Sequence, residues 1–172
     1  MRKIDIVDSN LMTRVYKIKI FQYLDDNEKK MLLNIADYFE YHKDEKIITQ
    51  GEISYCFYAV ITGELNVSIL GENGNQVQVS TIHAGDFFGE NGIFTDSQRR
   101  TANISPVDNA LILRIGRDDF FNFIRMYPKA GVNILMLIVH GLMKRLSTAN
   151  KELVNEKEDF VEKIPFFEKA GQ

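Results

Sequence analysis

The 172-residue chain is predicted to fold as a mainly β domain, a sandwich or a jelly-roll barrel, flanked by α-helices. Three observations carry this prediction. Apolar side chains recur with a period of two between residues 45 and 115. Turn residues interrupt that region at short intervals. On both sides of it the apolar spacing changes to three and four, the helical period.

Taken in order, Leu11, Val15, Ile18, Phe21 and Leu24 predict a helical extension over residues 1–24. Asp25-Asp26-Asn27-Glu28 reads as a helix start, because a capping carboxylate with Glu three residues on can satisfy free amides at both places. Met31, Leu32, Ile35, Ala36 and Phe39 fit one apolar face of that helix. Phe57, Ala59 and Ile61 then alternate with Tyr58, Val60 and Thr62. Leu65, Val67 and Ile69 alternate with Asn66, Ser68 and Leu70, and Val77, Val79 and Thr81 with Gln76, Gln78 and Ser80. Gly51-Glu52, Thr62-Gly63-Glu64, Gly71–Gly74 and Ala84-Gly85-Asp86 separate these strands, and Asn73-Gly74 signals a hairpin. Asn109–Ile115 is a last strand.

After Gly116 the helical period returns. Asp118 or Asp119 can cap a short helix holding Phe120, Phe121, Phe123 and Ile124, and Pro128 suits the first turn of the next, where its missing N–H is no loss. Ile134, Leu135, Ile138, Leu142, Leu146, Ala149 and Leu153 continue that helix as a narrow stripe. Such a stripe either lies on the β domain or zips against a second copy. The chain thus divides into a helical extension over 1–24, a domain over 25–150 that includes the C-terminal helix, and an acidic helical tail over 151–172. Val161–Ala170 faintly echoes Val15–Leu24; a true repeat would make the tail the start of a second domain, and chance is the alternative.

Composition excludes several classes. A net charge of −3, from 21 Lys and Arg against 24 Asp and Glu, does not suit a protein that coats nucleic acid. The single Cys56 excludes an internal disulfide and a multi-cysteine zinc site, and reads as a small buried hydrophobe. The run Ile134–Val139 is broken by His140 and Lys144-Arg145, so no membrane span is expected, and the N-terminus lacks the apolar core of a signal peptide. A cytoplasmic location follows as the expectation. His42, His83 and His140 are scattered, so no metal site is expected, and no catalytic nucleophile motif or Walker loop is present.

The chemistry concentrates in Gly85–Ala102. Gly89-Glu90-Asn91-Gly92 is a flexible turn ahead of a short helical turn at Ile93-Phe94, and amides at a helix start attract anions. Glu90 can accept hydrogen bonds from a diol such as a ribose. Arg100 can meet a phosphate with a planar, two-pronged donor, and Thr101 adds a hydroxyl and an amide beside it. A ligand with both sugar hydroxyls and a phosphate would suit them. The plainer alternative is a salt bridge between Glu90 and Arg100 on the rim of the β domain.

The segment resembles the phosphate-binding cassette of the cyclic nucleotide-binding domain family, which includes the catabolite activator protein, nucleotide-gated channels and kinase regulatory subunits. The resemblance is carried by Phe88-Gly89-Glu90, Gly92-Ile93 and Arg100-Thr101-Ala102, with Gly89 and Arg100 eleven positions apart. Upstream, Gln50-Gly51-Glu52, Phe57-Tyr58, Val60-Ile61, Gly63-Glu64-Leu65, Val67 and Gly85-Asp86 also match, and the likeness extends over about residues 15–150. Asn91 is a departure, since the family usually carries an aliphatic residue there.

The resemblance implies a jelly-roll barrel (a double-stranded β-helix) with flanking helices, and a regulatory receptor rather than an enzyme. Its ligand would be a cyclic purine nucleotide, cAMP before cGMP. Gly89 and Glu90 would hold the ribose 2′-hydroxyl, Arg100 the cyclic phosphate, Thr101 and Ala102 the phosphate through hydroxyl and amides. Asn91 lies within the same cassette. Val79 and Leu65 would line the base, and Asn150 of the long helix would cover it. Binding would move that helix, which would also form a homodimer, and the effector partner is not identified. Only 22 residues follow Asn150, too few for a winged helix-turn-helix, so DNA binding is not expected. The alternative is a domain of the same fold that has lost its ligand and serves as a dimerisation or interaction module.

Overall fold

The computed structural model describes residues 1–4, 9–71, 73–95 and 99–162. The chain divides into two compact units, Met1–Leu137 and Ile138–Gln172.

The first unit is built on two antiparallel sheets. Strands β1 (Arg2–Ile4), β2 (Ala36–Tyr41), β3 (Cys56–Thr62), β6 (Phe87–Phe88) and β8 (Ala110–Gly116) form one, in the order β1-β2-β8-β3-β6. Strands β4 (Glu64–Leu70), β5 (Gln76–His83) and β7 (Asn103–Pro106) form the other, in the order β5-β4-β7. The Ile48–Ile104 bridge ties the approach to β3 onto the second sheet. One apolar core draws on both sheets, with Phe39 and Tyr41 from β2, Tyr58 and Val60 from β3, Leu65 from β4, Ile82 from β5, Ile104 from β7 and Ile112 from β8. Strand β3 is buried on both faces, so its alternation separates two interiors. Tyr58 and Val60 face the core between the sheets, whereas Phe57 meets Phe120 edge-on at 4.9 Å.

The helices of this unit are α1 (Ser9–Val15), α2 (Lys19–Gln22), α3 (Asp26–Asn34), the single turn α4 (Asn91–Phe94) and α5 (Arg117–Met126); α6 (Pro128–Glu162) begins in it. The helix start at Asp25 is a full capping box: its carboxylate accepts from the Asn27 and Glu28 amides while Glu28 accepts from the Asp25 amide. A cap of this kind contributes about 1 kcal/mol. Val15, Ile18, Phe21 and Leu24 of the predicted apolar stripe are buried core residues, and the side chain of Leu11 lies outside those described.

Four readings of the sequence are corrected. Phe39 does not belong to the helix of Met31 and Leu32: α3 ends at Asn34, and Ala36–Tyr41 is a strand with six residues paired to β8. The aromatic Tyr38, Phe39 and Tyr41 favour the pleated form, and sheet pairing overrides a helical spacing that was accidental. The first residues are not helical, because Arg2–Ile4 pair with β2 and are pinned by Arg2–Glu40 and Lys3–Asp37 ion pairs. Asp118 and Asp119 do not cap α5; its N-cap is Gly116, and the two carboxylates lie in the first turn. Cys56 is half-buried and hydrogen-bonded, not enclosed in apolar core.

Among the described residues the second unit is the remainder of α6. From Leu142 to Asn155 every residue is exposed, including the apolar Leu142, Met143, Leu146, Leu153 and Val154. The expected echo of the N-terminal segment falls mostly on residues 163–172, outside those described.

Candidate functional site

Arg100 is the centre of the site. Its main chain is locked first: the Arg100 amide donates to Glu52 O at 2.9 Å, and the Gly51 amide donates to Arg100 O at 2.8 Å. These bonds continue the Ile53–Arg99 bridge and hold the return strand of the cassette against the turn that precedes β3. The side chain then runs inward and is only 3% exposed.

A buried guanidinium is costly unless its donors are satisfied. Here Nη1 donates to Gly89 O at 2.6 Å, and Nη2 donates to Cys56 O at 2.7 Å and to Ser54 Oγ at 2.9 Å. The Tyr58 ring supports the cation from 5.5 Å and itself stacks on Phe88, with centroids 5.0 Å apart. Burial, with Cys56 beside it, holds the Tyr58 phenol well above its ordinary range, so it stays neutral. The Cys56 thiol donates to that phenol oxygen at 3.2 Å. Arg100 Nε is buried and has no hydrogen-bond partner among the described residues. A cation with one buried donor to spare fits an anionic oxygen.

Two glycines make room for this arrangement. Gly89 has φ +74°, and a Cβ there would lie 2.9 Å from Arg100 Nη1. A Cβ on Gly92 would lie 2.4 Å from Ser54 O and 2.7 Å from Nη1. The Gly92 amide also donates to Gly89 O at 3.0 Å, the same carbonyl that receives the guanidinium.

The structure thus brings Gly89 and Arg100 into direct contact. Glu90 is the half-buried N-cap residue of α4. Asn91 opens α4 and donates through Nδ2 to Arg99 O at 2.7 Å, so it joins the two limbs of the cassette. Thr101 is exposed and Ala102 half-buried, immediately beyond Arg100. Val79 is 42% exposed on β5, whereas Leu65 has no exposed surface and lies in the core cluster. Asn150 is an exposed residue of α6, in the second unit. Sequence reasoning missed Ser54, Cys56 and Tyr58 as the floor beneath Arg100. Their spacing of two, which puts side chains on one face of a strand, was the available signal. Among the described residues no group of three His, Cys, Asp or Glu could hold a metal ion. No helix there is long and apolar enough to cross a membrane.

This geometry sits inside the stretch that matches a known family. Residues 38–127, from β2 through α5, match the cyclic nucleotide-binding domain. The chain belongs to that family. Over 116 residues it is 29% identical to the cAMP-activated global transcriptional regulator CRP of Pasteurella multocida (strain Pm70), covering 67% of this chain and 54% of that protein. Over 116 residues it is 27% identical to a cGMP-dependent protein kinase of Plasmodium berghei (strain Anka), covering 67% of this chain and 13% of the kinase. The chain therefore spans about half the length of the bacterial regulator. A crystal structure of a cyclic nucleotide-binding domain from Methylobacillus flagellatus KT superposes with a TM-score of 0.73 at 22% identity, covering 85% of this chain and 82% of that one. At that identity the likeness is one of fold, the family's jelly roll with flanking helices.

Proposed function

We propose that this member of the cyclic nucleotide-binding domain family is a cytoplasmic regulatory receptor for cAMP in preference to cGMP, and that it is not an enzyme. The observation that carries this reading is the buried Arg100 guanidinium, held between Gly89 and β3 with a donor to spare. In the proposed complex Arg100 meets the cyclic phosphate, with the Thr101 hydroxyl and amide and the Ala102 amide beside it. Gly89 and Glu90 take the ribose 2′-hydroxyl, Asn91 supports the cassette, and Val79 borders the base. Binding draws the cassette inward and shifts α6 between two positions, so the ligand acts through its different affinity for the two states. The similarity to a cAMP-activated regulator supports cAMP; the kinase relative, named for cGMP, makes that nucleotide the comparison to run.

Isothermal titration with cAMP and cGMP tests the reading. Saturable, one-to-one binding with cAMP the tighter ligand is expected. Binding of neither would leave the alternative, a domain of this fold acting only through protein contacts. Tighter binding of cGMP would reverse the preference.

Self-association through α6 belongs to the same proposal. Leu142, Met143, Leu146, Leu153 and Val154 are exposed apolar residues along one stretch of helix, the surface that a second copy would cover. Leu142→Glu is expected to convert dimer to monomer, because a charge without a partner is not tolerated in an apolar seam. Sedimentation velocity, with circular dichroism as the check on folding, reads the change. An unaltered chain that sediments as a monomer with and without cAMP removes the dimer from the mechanism.

A further inference from the structure

Three protein oxygens hold the Arg100 guanidinium, and two of them, Gly89 O and Cys56 O, are main-chain carbonyls that no substitution removes. The third is the Ser54 hydroxyl, 2.9 Å from Nη2. That hydroxyl also lies 3.2 Å from Cys56 Sγ, which in turn donates to the Tyr58 phenol. A serine hydroxyl has one proton and two lone pairs. Facing the guanidinium, which can only donate, it must present a lone pair, and its proton is left for the sulfur, which itself lies 3.6 Å from Nη2. Nη2 thus faces two oxygens, Ser54 Oγ and Cys56 O, with Cys56 Sγ a longer third contact at 3.6 Å. These contacts fix the plane of the guanidinium and, with it, the direction of Nε.

Ser54 has a second hold on the site. Its carbonyl oxygen packs against α4 so closely that only glycine fits at position 92. Ser54 therefore touches both limbs of the cassette, the arginine through its side chain and the Gly89–Gly92 turn through its main chain.

From this geometry we propose that Ser54 is the positioning residue for Arg100, setting the orientation in which the guanidinium receives the cyclic phosphate. It rests on the cyclic nucleotide reading given above. Ser54 acts through the arginine and is not itself a ligand contact.

The test is calorimetric titration with cAMP of the unaltered chain, Ser54→Ala, the equal-sized pair Ser54→Thr and Ser54→Val, Arg100→Lys, and the double variant Ser54→Ala with Arg100→Lys. Loss of one hydrogen bond to a charged group should weaken binding by S54A and S54V about tenfold, while S54T stays within about twofold of the unaltered chain. Lysine lacks the planar fork that Ser54 orients, so adding S54A to R100K should cost nothing further. A role confined to stability would give the same loss in both backgrounds. Equal affinities for S54T and S54V, or an S54A loss that persists in R100K, overturn the proposal. No binding of cAMP or cGMP by the unaltered chain overturns the nucleotide reading and this proposal with it; binding that ignores Ser54 overturns this proposal alone.

Discussion

Arg100→Ala is expected to weaken cyclic nucleotide binding by one to two orders of magnitude or more while the fold survives. The guanidinium is the buried cation at the centre of the cassette, 3% exposed, and it offers a planar donor set to an anion. Removing a charge-assisted hydrogen bond costs about 1.5–3 kcal/mol, which is about one to two decades of affinity. The main-chain framework should persist, because the bonds between Arg100 and Glu52 and Gly51 are made by backbone atoms. The core between the sheets does not include the Arg100 side chain. The variant therefore separates binding from folding. Titration with cAMP reads the affinity, and circular dichroism with thermal unfolding reads the fold. A folded variant of unchanged affinity would remove Arg100 from the site.

That residue was legible in the sequence, and its surroundings were not. Gly89 and Arg100 are eleven positions apart in one segment, and their chemistry, a turn beside a forked cation, can be read without a fold. The floor formed by Ser54, Cys56 and Tyr58 is 42 to 46 positions away from Arg100. It meets the guanidinium only because the Ile53–Arg99 bridge and the Glu52–Arg100 bond set the register between two distant turns. No local pattern encodes such a pairing. The strands show the same division. Those with clear alternation, β3, β4, β5 and β8, were read within two residues of their ends, and Gly74, at φ +76°, lies in the expected β4–β5 turn. The short β1, β6 and β7 offer too few residues for a period to declare itself. Strand β2 carries apolar residues that continue the helical spacing of α3 by coincidence, and only its six pairs with β8 decide the matter. Leu65 and Val79 share the period-two pattern, yet one is enclosed and the other exposed, because alternation gives the two faces of a strand without saying which is covered.

Gly92→Ala is expected to damage both binding and stability, and by steric means alone. The added Cβ would stand 2.4 Å from Ser54 O, 2.7 Å from Arg100 Nη1 and 2.9 Å from Arg100 Cζ. The first contact is with main chain at the entry to β3, a strand paired on both sides, so it cannot yield cheaply. The second and third are with the guanidinium, whose retreat would break its bonds to Gly89, Cys56 and Ser54. Overpacking of a closely fitted site costs about 1–3 kcal/mol, and displacement of a buried cation from its acceptors adds to it. The expected result is a lowered unfolding temperature together with a loss of cAMP affinity of about tenfold or more. Gly71→Ala is the matched control. The nearest atom to a Cβ there is Asn75 O at 3.5 Å, an ordinary contact, and the position lies in the β4–β5 connection. It should leave both measurements near those of the unaltered chain. If Gly92→Ala instead bound cAMP normally, α4 and Arg100 would have to move apart on binding, and the contact between the Gly89–Gly92 turn and the guanidinium would belong to the ligand-free state alone.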